Sequence, residues 1–206
     1  MKRYCLYLFI LIGISCSAEL KAQKNGTVYK GNDPAVRYTG RTLVSPDGSV
    51  AFDWVGTYLE TRFTGGKLSV KVSETGTSYY NVFVDGKLHK VVKVCGTDTL
   101  IHLVSGIDKR IHSLKIQKRS EGEFGKTTVH QFVLSGSGRL AEEPAVRTRH
   151  IEFIGNSLTC GYGTDGKHRD EPFLVETENC NLTFASMVAR YYDADYTLIA
   201  HSGRGA

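Results

Sequence analysis

One serine in this sequence is placed where a hydroxyl could do chemistry. The apolar run Ile151 to Ile154 predicts a buried strand, and it ends in Gly155-Asn156-Ser157. Such an ending puts a hydroxyl at the edge of a sheet and points backbone N–H groups toward a developing oxyanion. Ser157 is therefore a candidate nucleophile, although the same tripeptide is also typical of an ordinary turn. The second glycine of Gly-x-Ser-x-Gly is absent, so the α/β-hydrolase elbow does not fit.

Two glycines near the C-terminus support the same interpretation. Gly203 and Gly205 follow the apolar run Tyr196 to Ala200, which predicts a second strand. If the two strands are parallel, the glycines reach the same sheet edge as Ser157, and ligands bind at that edge in open α/β sheets. A glycine lets its N–H approach a substrate oxygen closely. The alternative is a plain strand-to-helix turn that needs glycine for its geometry.

A serine hydroxyl needs a base, and none of the nearby histidines is an obvious one. His150 begins the first strand, at the opposite edge, and His168 lies in a polar loop. His201 lies at the correct edge, but a histidine at a strand end is more often packed or solvated. Arg204 has two interpretations, a contact with a substrate carboxylate or phosphate and a surface side chain.

Most of the chain before residue 136 predicts an antiparallel β-sandwich. Short strand signals recur at near-regular spacing with no helical period between them. Asp85-Gly86 is a strong hairpin signal, and residues 23–35 predict a tail or a first loop. The predicted strands are Arg41–Val44, Val50–Trp54, Tyr58–Phe63, Leu68–Val72, Asn81–Val84, Leu88–Val94, Thr99–Val104, Ser113–Gln117 and Thr128–Leu134.

A second region begins after a polar segment, with the boundary between residues 136 and 148. It predicts a strand at His150–Ile154, a polar surface loop at Gly161–Glu178, a helix at Asn181–Tyr192 and the strand Tyr196–Ala200. This order is the start of a βαβ unit with a parallel sheet. Two strands and one helix cannot close a hydrophobic core, so we expect the second domain to be incomplete as given.

The first 22 residues predict a secretory signal. Lys2 and Arg3 precede the apolar run Tyr4 to Ile14, which is shorter than the ~20 residues that span a bilayer. We expect cleavage after Ala22, with residue 18 as the alternative, and a secreted or periplasmic protein. A lipid anchor at Cys16, giving an outer-surface lipoprotein, is the less favoured interpretation. The net charge of +5 is spread along the 206 residues, so no nucleic-acid partner is predicted.

The remaining cysteines do not predict a metal site. Cys160 and Cys180 flank one loop, where they either form a disulfide or stay buried free thiols, and Cys95 lies apart. No Cys-x-x-Cys pattern is present, and the acidic residues 165, 170 and 171 lack metal-ligand spacing. We therefore predict no metal and no cofactor.

The segment Ile151–Gly163 resembles the first sequence block of the SGNH, or GDSL-like, hydrolases. It is most similar to the two-domain acetylxylan esterases of carbohydrate esterase family two, although Asn156 stands where the broader family often has aspartate. Further similar motifs are Thr177-Glu178-Asn179, Ala189-Arg190, Ser202 to Gly205, Tyr38 to Arg41, Trp54 to Thr57, Tyr80 to Val82, Val84 to Gly86, and His112 to Arg119 followed by Glu121.

The resemblance implies a jelly-roll sandwich over residues 24–145 and a three-layer, parallel-sheet SGNH domain that begins at 148. It implies hydrolysis of acetyl esters on plant polysaccharide of the xylan type or on oligosaccharides, with Ser157 as nucleophile. The oxyanion hole would use the N–H groups of Ser157 and Gly205, with Gly203 the less favoured glycine. The family's catalytic histidine and asparagine donor come later than residue 206, so we expect this chain alone to be inactive.

Two other functions fit the sequence less well. A carbohydrate-binding or interaction protein would use the sandwich and carry a vestigial hydrolase part. An SGNH esterase could also act on another acyl group or on a lipid, although no long apolar groove is evident.

Overall fold

The computed structural model of this chain describes residues 26–204. The predicted signal segment, Cys16 and Gly205 lie outside the described residues. Among residues 26–204, no helix is both long enough and apolar enough to cross a membrane.

The first part of the chain is an antiparallel β-sandwich, as predicted. Nine strands form one hydrogen-bonded network in the order β3-β4-β9-β5-β8-β6-β7, with β1 paired to β9 and β2 paired to β5. The strands are β1 (Thr27–Lys30), β2 (Val36–Thr39), β3 (Leu43–Val44), β4 (Val50–Phe52), β5 (Tyr58–Glu74), β6 (Thr77–Val84), β7 (Lys87–Cys95), β8 (Thr99–Lys118) and β9 (Thr127–Ser135).

Two long strands connect the halves of the sandwich. β5 and β8 each replace a pair of shorter predicted strands, so the predicted breaks at Gly65-Gly66 and between residues 104 and 113 are wrong. The chain there stays paired, and the β5–β8 ladder absorbs the glycines as register shifts between Thr64 and Ser69. Gly66 has φ +92°, a conformation that glycine adopts without steric cost. These irregularities let one strand serve both halves.

The strand β1 is a second difference, because its residues were predicted as a tail or loop. Its side chains are mostly exposed, so it carries no apolar alternation that a sequence pattern could reveal. Its backbone pairs with β9 from Thr27–Leu134 to Lys30–Gln131. The predicted hairpin is confirmed: Asp85 and Gly86 have φ of 50° and 75° and join β6 to β7.

The core of the sandwich is one buried cluster drawn from both halves. Its most enclosed members include Phe63 from the first half of β5 and Phe132 from β9, each with 0% exposure. Burial of large apolar side chains is the main stabilising contribution in such a layer. The other apolar members with at most 2% exposure are Leu59, Leu68, Val82, Leu103, Leu114, Val129 and Leu134.

The second part is a strand-helix-strand unit. β10 (His150–Gly155) pairs in parallel with β11 (Asp195–Ala200), which confirms the predicted parallel pairing. Between them lie the single turn α1 (Ser157–Cys160) and the helix α2 (Phe184–Tyr191). α2 begins three residues later than predicted, because Cys180–Leu182 forms a separate 3-10 turn.

The apolar core of this unit is completed by the sandwich. Val55, which precedes β5, and Tyr58, its first residue, are each 1% exposed and pack into the same cluster as Leu198 of β11. Gly56 approaches so closely that a Cβ there would lie 2.6 Å from Leu198 Cδ1. The two parts of the chain therefore share a buried contact. The remaining members of this apolar cluster are Cys160, Cys180, Ala185, Ala189, Tyr196 and Ala200.

Candidate active site

Ser157 lies where β10 ends and the chain turns into α1. Asn156 caps this turn, and its side-chain oxygen accepts a hydrogen bond from Leu158 N–H at 3.2 Å. Ser157 is the first residue of the turn, so its own N–H has no partner within that turn. The side chain is half-buried. This geometry leaves a hydroxyl and a backbone donor at the carboxyl edge of the two parallel strands.

Ser157 lines an open pocket of about 450 Å³. Ser202 and Gly203 line it from the segment that follows β11, which we call the Ser202 turn (residues 201–204). The predicted meeting of Ser157 and Gly203 at one sheet edge is therefore confirmed. The sandwich contributes Glu123 and Phe124 to the same pocket. These two residues belong to a 3-10 turn, Gly122–Phe124, that the sequence analysis left without a role.

Aromatic side chains form one wall of this pocket. Tyr162 and Phe173 stack with ring centroids 3.7 Å apart, and Phe124 lies 5.6 Å from Phe173. The first two belong to the polar loop that the sequence predicted at residues 161–178, and the third comes from the sandwich. Aromatic rings in a cleft with a few polar groups are typical of a ligand site. The sequence pattern missed them because Phe124 and Tyr162 are isolated between polar residues and glycines, and Phe173 opens a run of only three apolar residues.

The three histidines of the second part of the chain lie at three different places. His150 Nε2 is 2.8 Å from Thr197 Oγ1 at the far end of β10, and His168 is exposed in the loop. His201 donates from Nδ1 to the backbone oxygen of Ser202 at 2.7 Å, while its Nε2 is 3.6 Å from Glu123 Oε2. Within residues 26–204, no histidine forms a hydrogen bond with Ser157 Oγ.

The loop of residues 161–178 is held by a buried arginine of the sandwich. Arg119 is 3% exposed and donates from Nε to Glu178 O at 2.7 Å and from Nη2 to Glu176 O at 3.0 Å. The same guanidinium also pairs with Asp165, an acidic residue that the sequence analysis considered only as a metal ligand. Arg204, in contrast, is exposed.

The two cysteines near the site are free thiols. Cys160 and Cys180 are buried and unpaired, which confirms the interpretation as thiols and excludes the disulfide in this structure. Burial raises the pKa of both thiols, that of Cys180 to about 12. Both therefore stay protonated near neutral pH and are not nucleophiles.

The family follows from a comparison with known protein families. The family described as "Carbohydrate esterase 2 N-terminal" matches residues 38–144, which is more than half of the 206 residues. The chain belongs to carbohydrate esterase family 2. The match coincides with the part of the sandwich that runs from β2 to β9 and into the following segment.

Relatives of this family 2 chain carry esterase names. This chain is 33% identical over 174 residues to "Cellulase/esterase CelE" of Acetivibrio thermocellus. The alignment covers 84% of this chain and 21% of that protein. It is 27% identical over 175 residues to an "Acetylxylan esterase / glucomannan deacetylase" of Cellvibrio japonicus, covering 84% of this chain and 48% of that protein.

A solved structure matches the fold of the family 2 chain. It is a family two carbohydrate esterase from Clostridium thermocellum in complex with cellohexaose, with a TM-score of 0.79 and 34% identity. The alignment covers 82% of this chain and 52% of that chain. The chain therefore spans about half of that protein and of the Cellvibrio relative.

Proposed function

We propose that the protein containing this chain is an exported carbohydrate esterase that removes acetyl groups from plant polysaccharide, of the xylan type, or from oligosaccharides. The observation that carries the proposal is the pocket in which Ser157 and Gly203 meet at the carboxyl edge of β10 and β11. The names of the relatives supply the reaction class. The signal-like layout of residues 1–22 supports export.

In this proposal Ser157 Oγ attacks the acetyl carbonyl carbon while a base takes the hydroxyl proton. The resulting acyl-serine is then cleaved by water, which releases acetate and restores the hydroxyl. The negative oxygen formed during both steps would be stabilised by the N–H groups of Ser157 and Gly205, the latter outside the described residues. The base would be a histidine later in the protein than Ala206, as the family resemblance implies.

The proposed domains are a sandwich over residues 24–145 and the start of an SGNH domain over residues 148–206. The separate sandwich core and the parallel β10–β11 pair support this division. The connecting segment stays attached to the sandwich, because Ala141 N–H donates to Arg62 O at 2.7 Å and Thr64 N–H donates to Arg139 O at 2.9 Å.

The aromatic wall suggests where a sugar would bind. We propose that a pyranose ring packs its apolar face against Phe124, Phe173 or Tyr162 while its acetyl group reaches Ser157. Such contacts combine apolar burial with room for hydroxyl hydrogen bonds. The relative solved in complex with cellohexaose supports an oligosaccharide as the kind of ligand.

The deciding experiment measures release of acetate from acetylated xylan and from an aryl acetate by a form that extends past Ala206. We expect Ser157→Ala to lower kcat by at least about 1000-fold. Ser202→Ala, which removes the other serine hydroxyl of the pocket, is the matched control and should change kcat only a few-fold. Unchanged hydrolysis by the Ser157→Ala variant would overturn the assignment, and polysaccharide affinity without hydrolysis would favour a binding protein.

The 206-residue chain itself provides a second test. We expect it to show no serine-dependent turnover of an aryl acetate, because none of its described histidines contacts Ser157 Oγ. Turnover that disappears in Ser157→Ala would contradict this expectation and would make His201 the first residue to examine.

A further inference from the structure

Two buried carboxyl groups lie directly behind the Ser157 pocket. Glu121 follows β8 in the sandwich and is 1% exposed, while Glu178 ends the loop of residues 161–178 and is 0% exposed. Together with the thiol of Cys160 they form a cluster whose polar atoms lie within 4.8 Å of one another. None of these side chains has a role in the proposed reaction.

The two carboxyl groups form a chain of contacts that ends at the Ser202 turn. Glu178 Oε2 accepts a hydrogen bond from Glu121 N–H at 2.9 Å. Glu121 Oε2 in turn accepts one from Ser202 N–H at 2.6 Å. The other oxygen of each carboxyl group, Oε1, is buried and has no hydrogen-bond partner among the described residues. Each of these orphaned oxygens lacks a donor.

No described lysine or arginine supplies that donor. Lys118 Nζ donates to Ser78 Oγ at 2.6 Å, and Arg119 donates to the backbone oxygen of Glu178 rather than to its carboxylate. The nearest cationic candidate is the ring of His201, whose Nδ1 is 3.8 Å from Glu121 Oε2 and already donates to Ser202 O. The other titratable groups that face the pair are the thiols of Cys160 and Cys180 and the ammonium of Lys118. The Lys118 charge lowers the pKa of Glu178 without a hydrogen bond to it, and burial lowers the pKa of Lys118 itself to about 8.

Two ionised carboxylates cannot share such a site, because burial and mutual repulsion both disfavour the second charge. One proton held between them supplies the missing donor. Burial, followed by the neighbouring Glu121, raises the pKa of Glu178 to about 9. Burial alone would also raise the pKa of Glu121, but the hydrogen bonds from Ser202 and Glu178 outweigh it and lower that pKa. Glu178 therefore carries the proton and Glu121 the charge.

We propose that Glu121 and Glu178 share one proton and act as positioning residues, by which the sandwich holds the Ser202 turn in place beside Ser157. The catalytic consequence rests on the proposed esterase function, whereas the shared proton and its effect on the turn do not. Loss of the proton leaves two negative carboxylates side by side. Their repulsion moves the Glu121 carboxylate away from Ser202 N–H, and the Ser202 turn becomes less firmly held.

The first experiment uses the 206-residue chain and is independent of activity. In a carboxyl-labelled NMR titration, we expect one glutamate to titrate near pH 9 and the Ser202 amide resonance to shift with the same midpoint. Both changes should disappear in Glu178→Gln, whose amide mimics a protonated carboxyl and still donates. Glu176→Gln, an exposed position in the same loop, is the matched control and should leave both unchanged.

Three outcomes would overturn the proposal. The first is titration of every glutamate below about pH 6, and the second is a Ser202 amide that does not respond near pH 9. The third is stoichiometric binding of Zn²⁺ alone that removes the titration, which would make the cluster a cation site instead.

The second experiment measures acetyl ester hydrolysis by a form that extends past Ala206. Glu178→Gln should keep kcat within a few-fold at pH 7 and lose the decline in kcat near pH 9. Glu121→Gln should lower kcat about tenfold or more at unchanged KM, because the neutral amide is a weaker acceptor for Ser202 N–H. Activity without these effects would refute the positioning role alone, whereas a complete lack of esterase activity would refute the proposed function and leave the NMR result standing.

Discussion

The hydroxyl of Tyr58 donates a hydrogen bond to Asp195 Oδ1 at 2.7 Å, and this contact joins the first residue of β5 to the first residue of β11. Arg37 and Arg147 pair with the same carboxylate at 2.7 and 2.8 Å. Asp195 is 4% exposed, so its charge depends on these partners. The buried Asp195 carboxylate and its three partners therefore connect the two parts of the chain.

Replacing Tyr58 by phenylalanine should destabilise the chain by about 1.5–3 kcal/mol, the usual value of a hydrogen bond to a charged group. The measurement is the urea unfolding midpoint at pH 7. Tyr38→Phe is the matched control, because Tyr38 donates to the neutral oxygen of Gly31 at 2.8 Å, and it should cost about 0.5–1.5 kcal/mol. Equal losses in the two variants would count against the argument.

Asp195 also predicts how stability depends on pH. Burial would raise the pKa of its carboxyl, but Arg37, Tyr58 and Arg147 outweigh burial and lower the pKa to about 2. The unfolded value is about 3.9. A lowered folded pKa contributes stability that is present above about pH 3.9 and is lost as the pH falls through about 2. Acid unfolding of Tyr58→Phe should consequently begin at a higher pH than that of the parent chain. Acid unfolding of Tyr58→Phe and of the parent chain at the same pH would contradict this expectation.

Gly56→Ala should destabilise the contact between the two parts more than Gly86→Ala does. Both glycines have positive φ, +74° and +75°, so both substitutions carry a backbone cost of about 1–2 kcal/mol. Only at position 56 would the new Cβ meet a neighbour, Leu198 Cδ1 at 2.6 Å. This overlap should add about 1–3 kcal/mol, measured as the difference between the unfolding free energies of the two variants. A difference near zero would mean that Leu198 moves freely.

Arg119→Lys should release the loop of residues 161–178. A lysine cannot reproduce the fork that donates to Glu176 O, Glu178 O and Asp165 at once. We expect faster cleavage by trypsin at Lys167 and Arg169, together with a loss of about 2–3 kcal/mol in unfolding free energy. Arg190→Lys is the matched control, since Arg190 is exposed and donates to Asn181 Oδ1 at 2.8 Å. Arg190→Lys should change the unfolding free energy by no more than about 0.5 kcal/mol and the rate of trypsin cleavage by no more than about twofold.

Thiol reactivity should separate the three cysteines of the described region. Cys95 is exposed, whereas Cys160 and Cys180 are buried and have raised pKa values. An alkylating reagent at pH 8 should label Cys95 within minutes and the other two only on unfolding. Mass spectrometry of the labelled peptides, with Cys95→Ser as the control, gives the answer. Rapid labelling of Cys180 in the folded chain would contradict the burial described above.

Local patterns predicted most of the secondary structure. The Asp85-Gly86 hairpin and the two apolar runs of the βαβ unit are short-range signals, and the structure confirms the hairpin and both strands. The predicted burial of the first run is wrong, because Ile154 of β10 is 78% exposed. The same reasoning failed for β1, whose pairing with β9 depends on residues more than 100 positions away. Edge strands with exposed side chains carry little apolar pattern for such reasoning to use.

The candidate site, like the fold, could be predicted from the sequence only in part. The sequence predicted Ser157 and Gly203 at one edge, because parallel strands place their ends together. It could not predict that Glu123 and Phe124 of the sandwich reach the same pocket, or that Glu121 bonds to Ser202. Those contacts depend on how the two parts dock, and docking is set by side-chain packing over long sequence separations rather than by any periodicity.

The cluster shared by Val55, Tyr58 and Leu198 has a consequence for how such proteins diversify. A sandwich exchanged from another family member would bring its own residues to this contact and would meet a foreign β11. Recombination at the connecting segment would therefore create mismatches in packing even where each part is sound by itself. We expect the two parts to have been inherited together, with substitutions on one side of the contact followed by compensating substitutions on the other.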